Sequence, residues 1–101
     1  MSRNNKLANL MNVVTGHLDA RRYLDTRHAR ERQTTRSIAR PEILHVLRSG
    51  YHEKRKDRFD ELHQAWNYAV RGRTVDRRDL RIIISFDEND MLIITAIELK
   101  L

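Results

Sequence analysis

Three apolar segments rich in β-branched residues fill the last third of the chain, residues 66–99, and two short polar breaks separate them. The breaks span residues 76–79 and 87–90 and consist largely of aspartate and its polar neighbours. Valine, isoleucine, threonine and aromatic residues favour a pleated, half-buried surface, whereas Asp and Asn clusters mark turns. The pattern therefore predicts an antiparallel three-stranded meander, with the upstream segments covering one of its faces.

The register of the last hairpin follows from the same pattern. An even-length loop at residues 87–90 gives a row of cross-strand pairs that is almost wholly apolar: Phe86–Met91, Ile84–Ile93 and Ile82–Thr95. Because side chains alternate between faces, this row is expected to face the helices. The row therefore predicts the buried side of the sheet.

The loop at residues 76–79 leaves two registers open, and a slip of one residue turns every side chain to the other face. A two- or four-residue loop puts Arg71 and Arg73 on the face of Ile82. A three-residue loop, which we favour, separates apolar from charged positions by placing on that face Trp66, Tyr68, Val70 and Thr74. In the favoured register the arginines Arg71, Arg73 and Arg81 project from the opposite face, beside Ile83, Ser85, Leu92, Ile94 and Ala96.

Two upstream segments have the apolar spacing of a helix that buries one face. Residues 5–20 carry it at Leu7, Leu10, Met11, Val14 and Leu18, and residues 40–49 at Ile43, Leu44, Val46 and Leu47. Pro41 fits the first turn of the second helix, and Gly50 marks its end. Residues 21–25 form a predicted connector. The lysine-rich stretch 51–59 suits an edge strand protected against pairing with other chains.

A third helix is predicted at residues 26–35, with Thr26 as its N-cap. This helix is polar on nearly every side, so it is either a solvated strut or a device that presents side chains. His28, Arg32 and Arg36 recur every four residues and therefore form one stripe. The predicted fold class is α+β, with N-terminal helices packed on one face of a three- to four-stranded antiparallel sheet. We expect one domain, residues 1–101, in which residues 1–20 are a covering helix and residues 23–99 the core.

The charge of the chain indicates a polyanionic partner. The formal charge is +6, and 16 of the 20 cations are arginine, which holds phosphate in a forked geometry. Seven arginines and only two acids lie in residues 21–40, and such clustering is expected of nucleic-acid binders. An acidic partner protein would require the same feature. No cysteine and no apolar run long enough for a signal peptide or membrane span is present, so we expect a cytoplasmic protein.

Most catalytic constellations are missing from the sequence. The five histidines lack metal-ligand spacing, the three glycines form no phosphate loop, and no serine stands in a nucleophile motif, so neither a metal nor a cofactor is expected. The remaining inventory is cations, one well-placed histidine, and hydroxyls at Tyr68, Thr74, Ser85 and Thr95. That inventory suits metal-free phosphoryl chemistry or phosphate binding.

Two stretches resemble a known family. HARERQTTRSIARPEILHVLRSGYHEKRKD resembles the opening signature of the family called domain of unknown function 4258, and WNYAVRGRTVDRRDLRIIISFDENDMLIITAIEL resembles the sheet of that family. Family members are similar in arrangement to RelE-like toxins and metal-free ribonucleases. The resemblance implies an RNA-cleaving or RNA-binding role, often in a pair with an antitoxin. The polar positions that match are His28, Arg32, Arg36, Arg73 and Thr95.

These observations lead to the hypothesis of a metal-free ribonuclease in which the ribose 2′-hydroxyl attacks the adjacent phosphate. His28 acts as general acid or base, and Arg32 and Arg73 stabilise charge on the phosphate oxygens. Flanking phosphates are held by Arg36, Lys56, Arg71 and Arg81. Thr95 and Tyr68 are further site candidates, although the predicted register puts both on the core-facing row. The alternative is a non-catalytic module that binds RNA or an acidic antitoxin protein through the same basic face.

Overall fold

The computed structural model describes residues 5–27 and 38–100. Within these ranges the chain forms two helices, a 3-10 turn and six strands. In chain order these are α1 (Leu10–Ala20), β1 (Tyr23–Asp25), α2 (Arg40–Ser49), β2 (Tyr51–His52), the 3-10 turn Lys54–Lys56, β3 (Arg58–Asp60), β4 (Ala65–Arg73), β5 (Asp79–Phe86) and β6 (Met91–Glu98). The helix predicted at residues 26–35 falls largely outside the described residues. None of the described helices is long and apolar enough to cross a membrane.

The predicted meander is confirmed, but the sheet is larger than predicted and mixed. Its strand order is β1-β6-β5-β4-β2, and β3 pairs with β4 as well. Strands β4, β5 and β6 are antiparallel, whereas β1 runs parallel to β6, with Tyr23 opposite Met91. The prediction of a three- to four-stranded antiparallel sheet was therefore wrong in strand count and in direction at one edge. The predicted connector, residues 21–25, contains β1, and a strand of three residues is too short to show an alternating pattern in the sequence.

The favoured register of β4 and β5 is confirmed. Tyr68 lies opposite Ile84 and Val70 opposite Ile82. The loop has three residues, because the Thr74 amide donates to the Arg78 carbonyl at 2.9 Å and closes the hairpin around residues 75–77. Arg77 adopts a left-handed conformation with φ of 68°, which completes this turn. Apolar and charged side chains therefore separate onto two faces, as the pattern predicted.

A β-bulge changes the second half of the β5–β6 hairpin. Phe86 pairs with Met91 and Ile84 with Ile93, as predicted, but the register then shifts between Ile83 and Ile84. Thr95 consequently lies opposite Ile83, and the predicted pair Ile82–Thr95 was wrong. The shift moves Thr95 to the face turned away from the helices and packs Ala96 against the core instead. A one-residue insertion of this kind leaves no mark in an unbroken apolar run.

The core lies between the helices and the first face of the sheet. Its fully buried side chains include Leu10 and Val14 of α1, Ile43 and Leu47 of α2, and, from the strands, Val70, Leu80, Ile82, Ile84, Met91 and Ile93. Helix α1 starts at Leu10 and not at the predicted residue 5, while α2 has the predicted bounds. Removing these apolar surfaces from water stabilises the fold by about 25 cal/mol per Å² buried, and this contribution holds the helices on the sheet.

Strands β2 and β3 lie along the same edge of β4, so the predicted edge strand 51–59 exists with an interruption. Tyr51 pairs with Arg71, and Phe59 pairs with Trp66, while the 3-10 turn bulges out between them. The Asp57 carboxylate fills the gap by accepting the Ala69 amide hydrogen at 3.0 Å. The Ala69 amide of β4 therefore keeps a hydrogen-bond partner across the break. Glu53 turns toward the face of the sheet that points away from the helices.

Candidate functional site

We use the name arginine face for the sheet face turned away from α1 and α2, at the end that carries Arg71, Arg73 and Arg81. Arg71 and Arg81 are direct cross-strand partners on β4 and β5. Both guanidinium groups bind Glu53, which is 5% exposed. Arg81 donates to the two oxygens of Glu53 at 2.7 and 3.1 Å, and Arg71 Nη1 donates to Oε2 at 3.2 Å. One carboxylate therefore fixes two arginines.

Asp79 completes the cluster from the first residue of β5. Arg71 donates to it through Nε at 3.2 Å and through Nη2 at 2.7 Å, so the guanidinium bridges two carboxylates. The hydrogen bond from Arg81 lowers the pKa of Glu53, and the hydrogen bond from Arg71 lowers the pKa of Asp79. Both acids are thus held in the charged form, and the carboxylates raise the pKa of both arginines.

Two further arginines and a tyrosine border this cluster. Arg55 Nη2 lies 3.7 Å from Glu53 Oε2, with most of its side chain in solvent. Arg73 is exposed and forms no ion pair in the described part of the chain. Tyr51, the cross-strand neighbour of Arg71, is 55% exposed. Four guanidinium groups against two carboxylates leave a local charge of +2 beside an exposed aromatic ring.

Apart from Tyr68, the predicted site residues divide into three groups. Arg71, Arg73 and Arg81 are brought together on the arginine face, and Thr95 lies on the same face opposite Ile83. Lys56 lies half-buried on the 3-10 turn, without an ion pair to any described residue. His28, Arg32 and Arg36 lie outside the described residues.

Tyr68 does not belong with the arginines. It is 3% exposed on the helix face, and its hydroxyl accepts the Leu7 amide hydrogen at 2.9 Å. Burial raises the pKa of the Tyr68 hydroxyl. Tyr68 therefore lies on the other side of the sheet from Arg71 and Arg81, and its role as a site residue stays a prediction.

Glu53, Asp79 and Tyr51 were absent from the sequence-based site. Tyr51 begins β2 and Glu53 directly follows that strand, and a spacing of two residues in extended chain is expected to place both on the same face as Arg71. That alternation was a usable signal. Asp79 gave no signal, because its position in a polar break favoured a turn and not a strand start.

A clamp of ion pairs and hydrogen bonds joins the two described stretches beside β1. Arg27 donates to the Asp25 carboxylate through Nε at 2.9 Å and Nη2 at 2.8 Å, and through Nη1 to the Ile38 carbonyl at 2.9 Å. These hydrogen bonds lower the pKa of Asp25. Thr26, the predicted N-cap, donates its hydroxyl to the Ile93 carbonyl at 2.8 Å. The residue that precedes His28 is thus fixed to the edge of the sheet.

The described residues contain no group of three or more His, Asp or Glu side chains placed to hold a metal ion. Neither the curated proteins nor the solved structures give a significant match to the chain. A family model with the description "Domain of unknown function (DUF4258)" matches residues 26–98, which include β6, the last strand. The match covers the first of the two stretches that resemble the family, residues 28–57, and all of the second, residues 66–99, except Leu99. The chain therefore belongs to the DUF4258 family.

Proposed function

We propose that this protein is an RNA-directed, metal-free ribonuclease-like domain that holds its substrate on the arginine face. The observation that carries the proposal is the arrangement of four arginines around Glu53 and Asp79, two of them fixed and two exposed. Fixed guanidinium groups stabilise a phosphate without first paying the cost of ordering their own side chains. The exposed pair supplies the charge that attracts a polyanion.

The fixed arginines keep part of their donor capacity. A guanidinium has five N–H groups, of which Arg71 uses three and Arg81 two within the cluster. The remaining hydrogens bind phosphate oxygens at defined positions. Arg71 and Arg81 thus position RNA, whereas Arg73 contributes the charge of an exposed guanidinium group.

Tyr51 indicates which form of RNA fits. Its exposed ring lies beside Arg71, and an aromatic platform next to cations is the common design for binding single strands. Stacking requires an unpaired base, so single-stranded RNA is the expected substrate. In the proposed reaction His28 takes the proton of the ribose 2′-hydroxyl, and the 2′-oxygen bonds to the adjacent phosphorus while the bond from phosphorus to the 5′-oxygen breaks. The products are a 2′,3′-cyclic phosphate and a 5′-hydroxyl, which takes its proton from the protonated His28 or from water, while Arg32 and Arg73 stabilise the charge on the phosphate.

Binding is tested with a matched pair of variants, Arg73→Ala and Arg48→Ala. Each removes one positive charge from an exposed position, but Arg48 lies on α2, where it pairs with Asp19 at 2.9 Å on the other side of the sheet. We expect Arg73→Ala to weaken binding of single-stranded RNA and to reduce the slope of log affinity against log salt by about 0.7. Arg48→Ala should leave the slope unchanged. Equal effects of the two variants would show that only net charge matters.

Cleavage is tested separately, with the wild type and His28→Ala in EDTA. The expected products carry 2′,3′-cyclic phosphate ends, and a substrate with deoxyribose at the cleaved position stays intact. The His28→Ala variant should bind RNA and fail to cut it, since general acid–base catalysis contributes about 10²–10⁴-fold. A wild type that binds but never cuts overturns the catalytic half of the proposal.

The second candidate function is a non-catalytic module that binds RNA or an acidic antitoxin-like protein. Glu53 and Asp79 favour it, because they compensate two of the cations that the catalytic hypothesis assigns to phosphates. RNA binding without cleavage supports the RNA-binding form. Absence of RNA binding at low salt supports the protein-binding form, for which a short acidic, helical product of the neighbouring reading frame is the first partner to test.

A further inference from the structure

Four side chains form one row across the arginine face, from β2 to β6. Tyr51 lies directly opposite Arg71, and Arg71 lies opposite Arg81. Arg81 in turn lies opposite Ile97 of β6. Directly opposed residues of antiparallel strands point to the same face, so the four side chains share it. Neighbouring strands lie about 4.8 Å apart, which makes the row about 14 Å long. The row is apolar at both ends and cationic in the middle.

The β-bulge between β5 and β6 brings Ile97 into this row. If the register that pairs Phe86 with Met91 continued without a shift, Arg81 would lie opposite Ala96, and Ile97 would face the helices. The bulge instead packs Ala96 against the core and leaves Ile97 42% exposed. Bulges are common beside functional sites, where they re-aim a side chain. The shift therefore exposes a large apolar side chain next to the arginines.

Tyr51 and Ile97 are two of the five large apolar side chains that are exposed in the described part of the chain. Leu62 and Val75, two of the others, lie in the loops at the ends of β4, and single exposed apolar residues of that kind are normal. Tyr51 and Ile97 differ from them, because each neighbours a guanidinium group that Glu53 fixes.

The middle of the row fits one phosphate. Two N–H groups of Arg71 and three of Arg81 remain outside the contacts with Glu53 and Asp79. These hydrogens hold phosphate oxygens between the two apolar ends. A nucleobase has an apolar face that stacks on an aromatic ring or packs against an aliphatic side chain. Single strands can splay their bases apart, so one phosphate can carry a base on either side.

We propose that the row is a dinucleotide site for single-stranded RNA. One phosphate binds at Arg71 and Arg81, the base on one side of it stacks on Tyr51, and the base on the other side packs against Ile97. The RNA strand therefore crosses the β-strands and does not run along them. This inference rests on the proposed function and adds to it a second base subsite, at Ile97.

The probe for the new subsite is fluorescein-labelled hexauridylate with every 2′-hydroxyl methylated, so that anisotropy measures binding without cleavage. Ile97→Thr keeps a β-branched side chain suited to a strand and makes this end of the row polar. We expect it to weaken binding about two- to fivefold through lost apolar contact. The slope of log affinity against log salt should stay unchanged, because no charge is removed. Leu62→Thr, at a position 86% exposed, should leave the affinity unchanged.

A second pair of variants addresses the aromatic end. Tyr51→Phe keeps the ring and should bind the hexamer like the wild type, whereas Tyr51→Leu should bind at least about fivefold more weakly. Combining Tyr51→Leu with Ile97→Thr should multiply the two losses, because the two side chains contact different bases. Urea denaturation confirms that each variant is folded before its affinity is compared.

Equal effects of Ile97→Thr and Leu62→Thr on a wild type that binds the hexamer would overturn the dinucleotide site and leave the proposed function standing. A reduced salt slope in Ile97→Thr would do the same, because the variant would then act through the arginines and not through a base. Absence of hexamer binding at low salt would overturn the proposed function, and the dinucleotide site with it.

Discussion

At the scale of single residues, one carboxylate organises the arginine face. Glu53 is buried between β2 and the 3-10 turn and contacts the side chains of three arginines, of which Arg71 and Arg81 lie within hydrogen-bond distance. Without this acid, Arg71 and Arg81 would repel each other across two adjacent strands. The role of Glu53 is therefore structural first, and any function of the face depends on it.

Glu53→Gln keeps the shape of the side chain and removes its charge. We expect the free energy of unfolding to fall by about 1–3 kcal/mol, because a nearly buried ion pair loses one partner while the arginines keep partial access to water. Urea denaturation measures the change. Glu88→Gln, at an exposed position, should shift the free energy by less than about 0.5 kcal/mol. Equal changes in the free energy of unfolding of the two variants would contradict the structural role assigned to Glu53.

The sequence predicted which arginines share a face, because alternation and the separation of apolar from charged positions determine the register. It did not predict which acids pair with them. Glu53 comes near Arg81 only because β2 pairs with β4. A contact between residues this far apart in the chain leaves no local pattern in the sequence from which it could be predicted. The bulge that turns Thr95 to the arginine face was hidden for a similar reason, since every residue around it is apolar or β-branched.

At the scale of elements, two glycines show how closely α2 approaches the sheet. A Cβ at Gly50 would lie 2.4 Å from the Arg71 carbonyl oxygen and 2.6 Å from that of Val46, both backbone atoms. A Cβ at Gly72 would lie 3.0 Å from the Gly50 Cα. The end of α2 therefore rests on β4 backbone to backbone, and this contact sets the position of β2 and of Glu53 beyond it.

Two alanine substitutions test this account. Gly50→Ala should lower the free energy of unfolding by about 1–3 kcal/mol, because the backbone must move to make room. Gly16→Ala, at an exposed position of α1 with no atom within 4 Å, should raise it by about 0.5–1 kcal/mol through helix propensity. Thermal and urea denaturation measure the change in the free energy of unfolding for each variant, including its sign. The same sign for both changes would contradict the packing described for α2.

At the scale of the whole molecule, stability depends on acids whose pKa is lowered by arginine. They are Glu53, Asp79 and Asp25, with ordinary values of 4.5 for the glutamate and 3.8 for the aspartates. In each case the unfolded chain binds a proton more readily than the folded chain. The stabilisation is therefore complete above the ordinary values and is lost as the pH falls through the lower folded values.

We expect the free energy of unfolding to be nearly constant from neutral pH to about 5 and to fall steadily below about 4.5. Urea denaturation across this range measures the slope. Glu53→Gln should make the decline shallower, because one proton fewer is taken up on unfolding. A wild-type stability that rises toward acid pH would contradict the ion-pair arrangement.

The parallel pairing of β1 with β6 has a consequence for biosynthesis. Residues 23–25 leave the ribosome well before their partners, residues 91–93, are translated. The hydrogen-bonding groups of this strand therefore wait unpaired while the 65 residues between the two segments are made, and contacts between such distant segments form slowly. The sheet edge that anchors Arg27 can assemble only after residues 91–93 have been translated, so premature termination before residue 91 would yield a product that lacks it.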